Sequence, residues 1–74
     1  MRCIFEYACC VGVVMADGTM TSMDFEAGQI LDVSDVRPAA ADGAYGCDIS
    51  LTDGTVLLDV PESVFTLVSE CIPV

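Results

Sequence analysis

Three Asp-Gly dipeptides, Asp17-Gly18, Asp42-Gly43 and Asp53-Gly54, constrain this chain more than any other feature. Glycine takes positive φ without a side-chain clash, so Asp-Gly between strand-forming runs signals a tight hairpin. Two of the three sit in near-identical settings, Ala16-Asp17-Gly18-Thr19-Met20 and Thr52-Asp53-Gly54-Thr55-Val56. The similarity ends within a few residues, which makes them two hairpins rather than a repeat.

Between the turns the apolar period is two, the period of a strand with one face buried. Cys47, Ile49 and Leu51 fall on one face, and Asp48, Ser50 and Thr52 on the other. Past the turn, Val56, Leu58 and Val60 are expected inward, with Leu57 and Asp59 outward. Upstream, Met23 and Phe25 alternate with Asp24 and Glu26. Ala27-Gly28 then turns the chain into a strand with Leu31 and Val33 inward and Ile30 and Asp32 outward. Residues 2–15 read as one long bent strand or two short ones, with a bulge or bend expected at Gly12. Residues 37–46, with Pro38, alanines and glycines, read as a loop. Pro61 suits the first position of a helical turn, and Pro61-Glu62-Ser63 predicts a 3-10 turn before Phe65, Leu67 and Val68 resume strand character. No stretch has the length and 3.6-residue period of a packed helix, so the class is all-β.

At 74 residues the chain is expected to form one domain, residues 1–74, complete from Met1. A domain this small buries only about 60% of its unfolded surface, a deficit that an apolar content of 54% offsets. Charge is lopsided: twelve acids stand against Arg2 and Arg37, with no Lys and no His, for a net charge of −10. Phosphate binding needs clustered cations, which excludes direct nucleic-acid contact and anionic membranes. Two uses of the acids stay open, a solubilising surface or one that imitates nucleic acid or docks on a basic partner.

Cysteines Cys3, Cys9, Cys10, Cys47 and Cys71 are odd in number, and two are adjacent, unlike a secreted disulfide framework. Without His or a Cys-x-x-Cys pair no metal is expected. The thiols read as small buried hydrophobes of a reducing cytoplasm, with one of Cys9 and Cys10 buried and the other exposed. Glu6 interrupts the N-terminal apolar run, and residues 8–16 fall short of the ~20 apolar residues that span a bilayer, so an uncleaved chain without a membrane anchor is expected.

Catalysis finds little support. Serine, threonine and cysteine nucleophiles need a nearby base, most often His, and the acids fall on outward or turn positions without a cleft. No enzymatic activity and no cofactor are expected. Asp17, Asp42 and Asp53 stabilise their turns through Asx hydrogen bonds, and no Asp-x-Asp-x-Asp-Gly loop is present to bind calcium.

Two segments carry a family resemblance. Met23-Asp24-Phe25-Glu26-Ala27-Gly28-Gln29-Ile30-Leu31-Asp32-Val33 resembles the SH3 stretch leucine-serine-phenylalanine, two variable residues, glycine-aspartate, then an apolar strand. Val60-Pro61-Glu62-Ser63-Val64 is similar to the valine-proline-x-x-tyrosine turn before the last SH3 strand, and Ile4-Phe5-Glu6-Tyr7 is a weaker echo of the opening alanine-leucine-tyrosine-aspartate-tyrosine run. The resemblance implies a five- to six-stranded SH3-like barrel with a short 3-10 turn before its last strand. It also implies a peptide groove, with Phe5, Tyr7 and Pro61 on family positions. That groove lacks its tryptophan, Ala44-Tyr45-Gly46-Cys47 standing where one belongs, and Val64 replaces the turn's tyrosine.

The expected function is a non-catalytic protein-interaction or assembly module, of a size and style that suit a viral or phage accessory or particle protein, in the cytoplasm, host cytoplasm or virion. The expected partner is a protein with an apolar or basic surface, or a second copy of the chain. The interface residues expected are Ile30, Leu57, Val11, Val13, Tyr7, Tyr45 and Pro61, the first two apolar where the period predicts solvent. The alternative is an acidic inhibitor that mimics nucleic acid, with Asp24, Glu26, Asp32, Asp35, Asp48 and Asp59 as its face.

Overall fold

A computed structural model describes residues 1–40, 42–43 and 45–68. Cys71 and Ala44 lie outside the described residues. Among the described residues seven strands follow in order: β1 (Arg2–Phe5), β2 (Cys9–Val14), β3 (Met20–Phe25), β4 (Ile30–Pro38), β5 (Cys47–Leu51), β6 (Val56–Val60) and, after a 3-10 turn at Glu62–Val64, β7 (Phe65–Val68). They form one antiparallel sheet in the order β3-β2-β6-β5-β4-β1-β7. The all-β class holds, as does the 3-10 turn before the last strand. The strand number exceeds the expected five to six, because residues 2–15 split into β1 and β2. Among the described residues the hydrogen-bonded ladder does not close, since β3 and β7 end the order without pairing each other.

The sheet nonetheless curls tightly. Phe5 of β1 and Phe25 of β3 stack with ring centroids 4.7 Å apart and planes 2° from parallel, although their strands stand five places apart in the sheet. Around this pair the core gathers Cys3, Val11, Val13, Val33, Cys47, Ile49, Leu57, Val60 and Phe65.

The two Asp-Gly-Thr hairpins form as expected and share one hydrogen-bond pattern. Met15 N donates to Thr19 O (2.7 Å) and Gly18 N to Met15 O (2.9 Å); Leu51 N donates to Thr55 O (2.7 Å) and Gly54 N to Leu51 O (3.2 Å). This is a three-residue loop ending in a bulge whose glycine must be left-handed, and Gly18 and Gly54 have φ of 90° and 94°. Each loop aspartate accepts from the threonine amide two residues on, at 2.9 Å in both hairpins. The loops also touch: a Cβ on Gly54 would lie 3.1 Å from Ala16 Cβ.

Two bulges correct the expected facing of side chains. On β6, Cys47 pairs with Val60 but Ile49 pairs with Leu57, so β6 carries one extra residue, and Asp59 there takes φ of 48°. The inserted residue breaks the period of two, and Leu57 and Val60, three apart, both point into the core. Leu57 is fully buried, whereas Val56 and Leu58 are only half-buried. On β4 the register shifts between Val33 and Asp35, so Val33 and Val36, three apart, both face the core. Gly12, by contrast, lies in an unbroken ladder with Ser22 on one side and Leu58 on the other, so the bulge or bend expected there is absent.

Candidate interaction surface

The expected interface divides into residues the fold buries and residues it presents. Val11, Val13 and Leu57 are core: the first two line the inner face of β2, which β3 and β6 flank, and the β6 bulge turns Leu57 inward. None of the three is available to a partner. Ile30 is 56% exposed, Tyr7 62% and Tyr45 97%, and Pro61 is also exposed. Tyr45 and Pro61 line one open groove of about 380 Å³ with Gly46, Asp59, Glu62 and Ser63, while Tyr7 is not among its lining residues. Of the three groove positions that the resemblance implies, Phe5 is fully buried in the core and Tyr7 lies outside this groove, so Pro61 alone lines it.

Hydrogen bonds fix that groove. Asp48 accepts from Ala40 N (3.2 Å) and Asp59 N (3.0 Å), and Asp59 in turn accepts from Gly46 N (2.7 Å). The loop after β4 is thus tied to the β6 bulge by two carboxylates. Inside the groove wall the Cys47 thiol donates to Glu62 (3.4 Å), and burial first, then that bond, raises the Cys47 pKa.

The six acids proposed as one face serve several local purposes. Arg2 pairs with Asp32 (3.6 Å) and Arg37 with Asp35 (2.6 Å). Asp48 and Asp59 hold the groove, while at the turn into β4 it is the backbone amide of Glu26, not its carboxylate, that donates to Gln29 Oε1 (3.2 Å). Asp24 stands on β3, opposite Cys10 of β2. Its hydrogen bond with the Cys10 thiol leads the causes that raise the Cys10 pKa, while burial raises Cys3 to about 11. Cys9 is half-buried and Cys10 exposed, as their alternation predicts. Among the described residues no three acids and thiols converge as for a metal ion, and no helix is long and apolar enough to cross a membrane.

Sequence reasoning missed the outer strand. β3 ends the sheet, and its side away from β2 has no neighbouring strand among the described residues. In an antiparallel ladder, residues of alternate pairs turn their amides and carbonyls toward each other or away. The Met15–Thr19 bond fixes that alternation, so Thr21, Met23 and Phe25 bond to β2. Met20, Ser22 and Asp24 therefore aim their N–H and C=O groups at the free edge. Met20 is 72% exposed, and Met23, on the inner face opposite Val11, is also exposed, with no strand beyond it among the described residues. The Asp17-Gly18 hairpin predicts β3 as a strand, but its edge position depends on which strand β2 takes as its other neighbour, a non-local choice that no turn signal encodes.

No protein-family model matches the chain, and neither a curated protein nor a solved structure does so.

Proposed function

We propose that this chain is a non-catalytic interaction module of SH3-like build that takes up a partner's strand along β3. The two hairpins and the 3-10 turn before β7 support the SH3-like reading. The unguarded edge carries the functional one. Natural edge strands are blunted by lysine, proline or a bulge, because a row of unpaired amides and carbonyls recruits other strands. Met20–Phe25 has no lysine, no proline and no bulge, and runs six residues. Its one charge is Asp24. Strand addition at such an edge derives affinity from main-chain hydrogen bonds and specificity from alternate side chains.

The nucleic-acid-mimic reading has no comparable observation behind it. Two of its acids are neutralised by the only two arginines, and two more are spent on backbone amides.

The test is Ser22→Pro. Ser22 N–H faces the free edge, so proline there removes a main-chain donor that only a partner would use and leaves the main-chain bonds to β2 intact, at the cost of the Ser22 hydroxyl contact with the Cys10 thiol. Wild type and variant are each used as bait in source-cell extract and each run in light scattering. Partners, or self-association, retained by wild type and lost by Ser22→Pro support the reading. Equal behaviour of the two proteins, with the variant folded, overturns it.

A further inference from the structure

We infer that the strand β3 receives is basic: an extended, proline-free segment running antiparallel to β3, with a cation opposite Asp24 and apolar residues beside Met23. This rests on the edge-docking reading and adds the partner's chemistry to it.

The geometry sets the pattern. A strand bonding to the free edge would form hydrogen-bonded pairs with Met20, Ser22 and Asp24, because their main-chain groups point outward. Directly opposed residues share a face, so the partner's residue opposite Asp24 shares the face of that carboxylate. In an antiparallel partner the position two residues later meets Ser22, and the position four residues later meets Met20. The intervening two lie on the inner face beside Met23 and Thr21, where an apolar side chain would cover the exposed part of Met23.

Charge chooses among occupants. Asp17 and Glu26 flank β3 at its two ends, and Asp24 lies within it, with no cation between residues 3 and 36. Both arginines sit on or beside β4 partners, Arg2 with Asp32 and Arg37 with Asp35. A second copy would set a whole chain of net charge −10 against another of the same charge. An acidic segment would meet Asp24 directly, and like charges directly opposed are destabilising. A basic strand meets complementary potential at Asp24 and Glu26 toward one end of β3 and at Asp17 beyond the other.

The experiment uses the full chain and three end-blocked peptides that differ only at their outer positions. The first is arginine-valine-threonine-valine-arginine-valine; the second and third replace both arginines by threonine or by glutamate. Amide hydrogen exchange and nuclear magnetic resonance shifts report where each binds. The expected result is that the arginine peptide slows exchange at Met20, Ser22 and Asp24, binds at least about tenfold more tightly than the glutamate peptide, and weakens on going from about 0.05 M to about 0.5 M salt. Ser22→Pro abolishes that protection, and Asp24→Lys inverts the preference between arginine and glutamate peptides.

Equal protection of the edge by the threonine peptide overturns the basic partner and leaves edge docking standing. Arginine-peptide binding that maps to Tyr45 and Pro61, or survives Ser22→Pro, overturns the basic strand as the edge's occupant. Self-association through β3 without peptide, reported by light scattering, overturns it in favour of a second copy. Protection of the edge by none of the peptides overturns it as well, while the bait comparison of wild type and Ser22→Pro still decides edge docking.

Discussion

Gly46 shows how much one residue can carry without a positive φ. A Cβ there would fall on the Val60 carbonyl oxygen and within 2.6 Å of its carbon and 2.8 Å of the Asp59 carbon. These are backbone atoms that cannot rotate away. The same residue gives its amide to Asp59 and its carbonyl to the Ala39 amide (3.1 Å). Gly46→Ala is therefore expected to destabilise the fold by about 3 kcal/mol, the upper range for overpacking a filled site. In thermal unfolding that is a fall of more than about 10 °C in Tm. A shift within a degree or two of wild type would show that the loop slides away freely. The sequence marks Gly46 only as a loop residue, since close approach of two backbones is a tertiary fact.

At the scale of elements, the twin Asp-Gly-Thr loops make stability depend on pH in a definite direction. Hydrogen bonds from Thr19 and Thr55 amides hold the carboxyls of Asp17 and Asp53 below their usual range. A group whose folded pKa is depressed contributes stability above its unfolded value, about 3.9 for Asp, and loses it as pH falls through the folded value. Asparagine keeps the acceptor and does not titrate. Denaturant melts of wild type and the double variant Asp17→Asn, Asp53→Asn should thus show wild type gaining on the variant as pH rises from about 2 to about 5. General repulsion among the other acids has the opposite sign, so a variant that gains on wild type with rising pH would assign the dominant role to net charge. These loops were the most legible part of the sequence, because turn chemistry is local: Asp, Gly and Thr at fixed offsets determine the hydrogen bonds. The bulges were not. Nothing in Val56-Leu57-Leu58-Asp59-Val60 marks the extra residue, and without it the period of two puts Leu57 on the wrong face. The expected interface inherits that error, and Val11 and Val13 leave it as well, because they lie on the inner face of β2, between β3 and β6.

Across the whole molecule, local and distant pairings are sharply divided. The hairpins β2–β3 and β5–β6 join neighbours in sequence, whereas β1 lies between β4 and β7 and pairs Phe5 with Phe65. Contacts between distant parts of a chain form only after the entropy of closing the intervening loop has been met, and they dominate the slow folding of all-β domains. The hairpins are expected in the folding nucleus and the β1–β7 pair after it. Stopped-flow kinetics should then show Gly18→Ala, in the β2–β3 hairpin, slowing folding, while Phe65→Ala chiefly speeds unfolding. The reverse assignment would place closure of β7 on β1 at the barrier. In the first case the chain passes through a period when β2 and β3 are already a formed ribbon, while Phe5 has yet to seat against Phe25. The edge of β3 is then competent to recruit a strand before the domain is complete. A partner present during synthesis would have its opportunity earlier than one that waits for the finished fold, and crowding by other nascent copies would be most hazardous in that same interval.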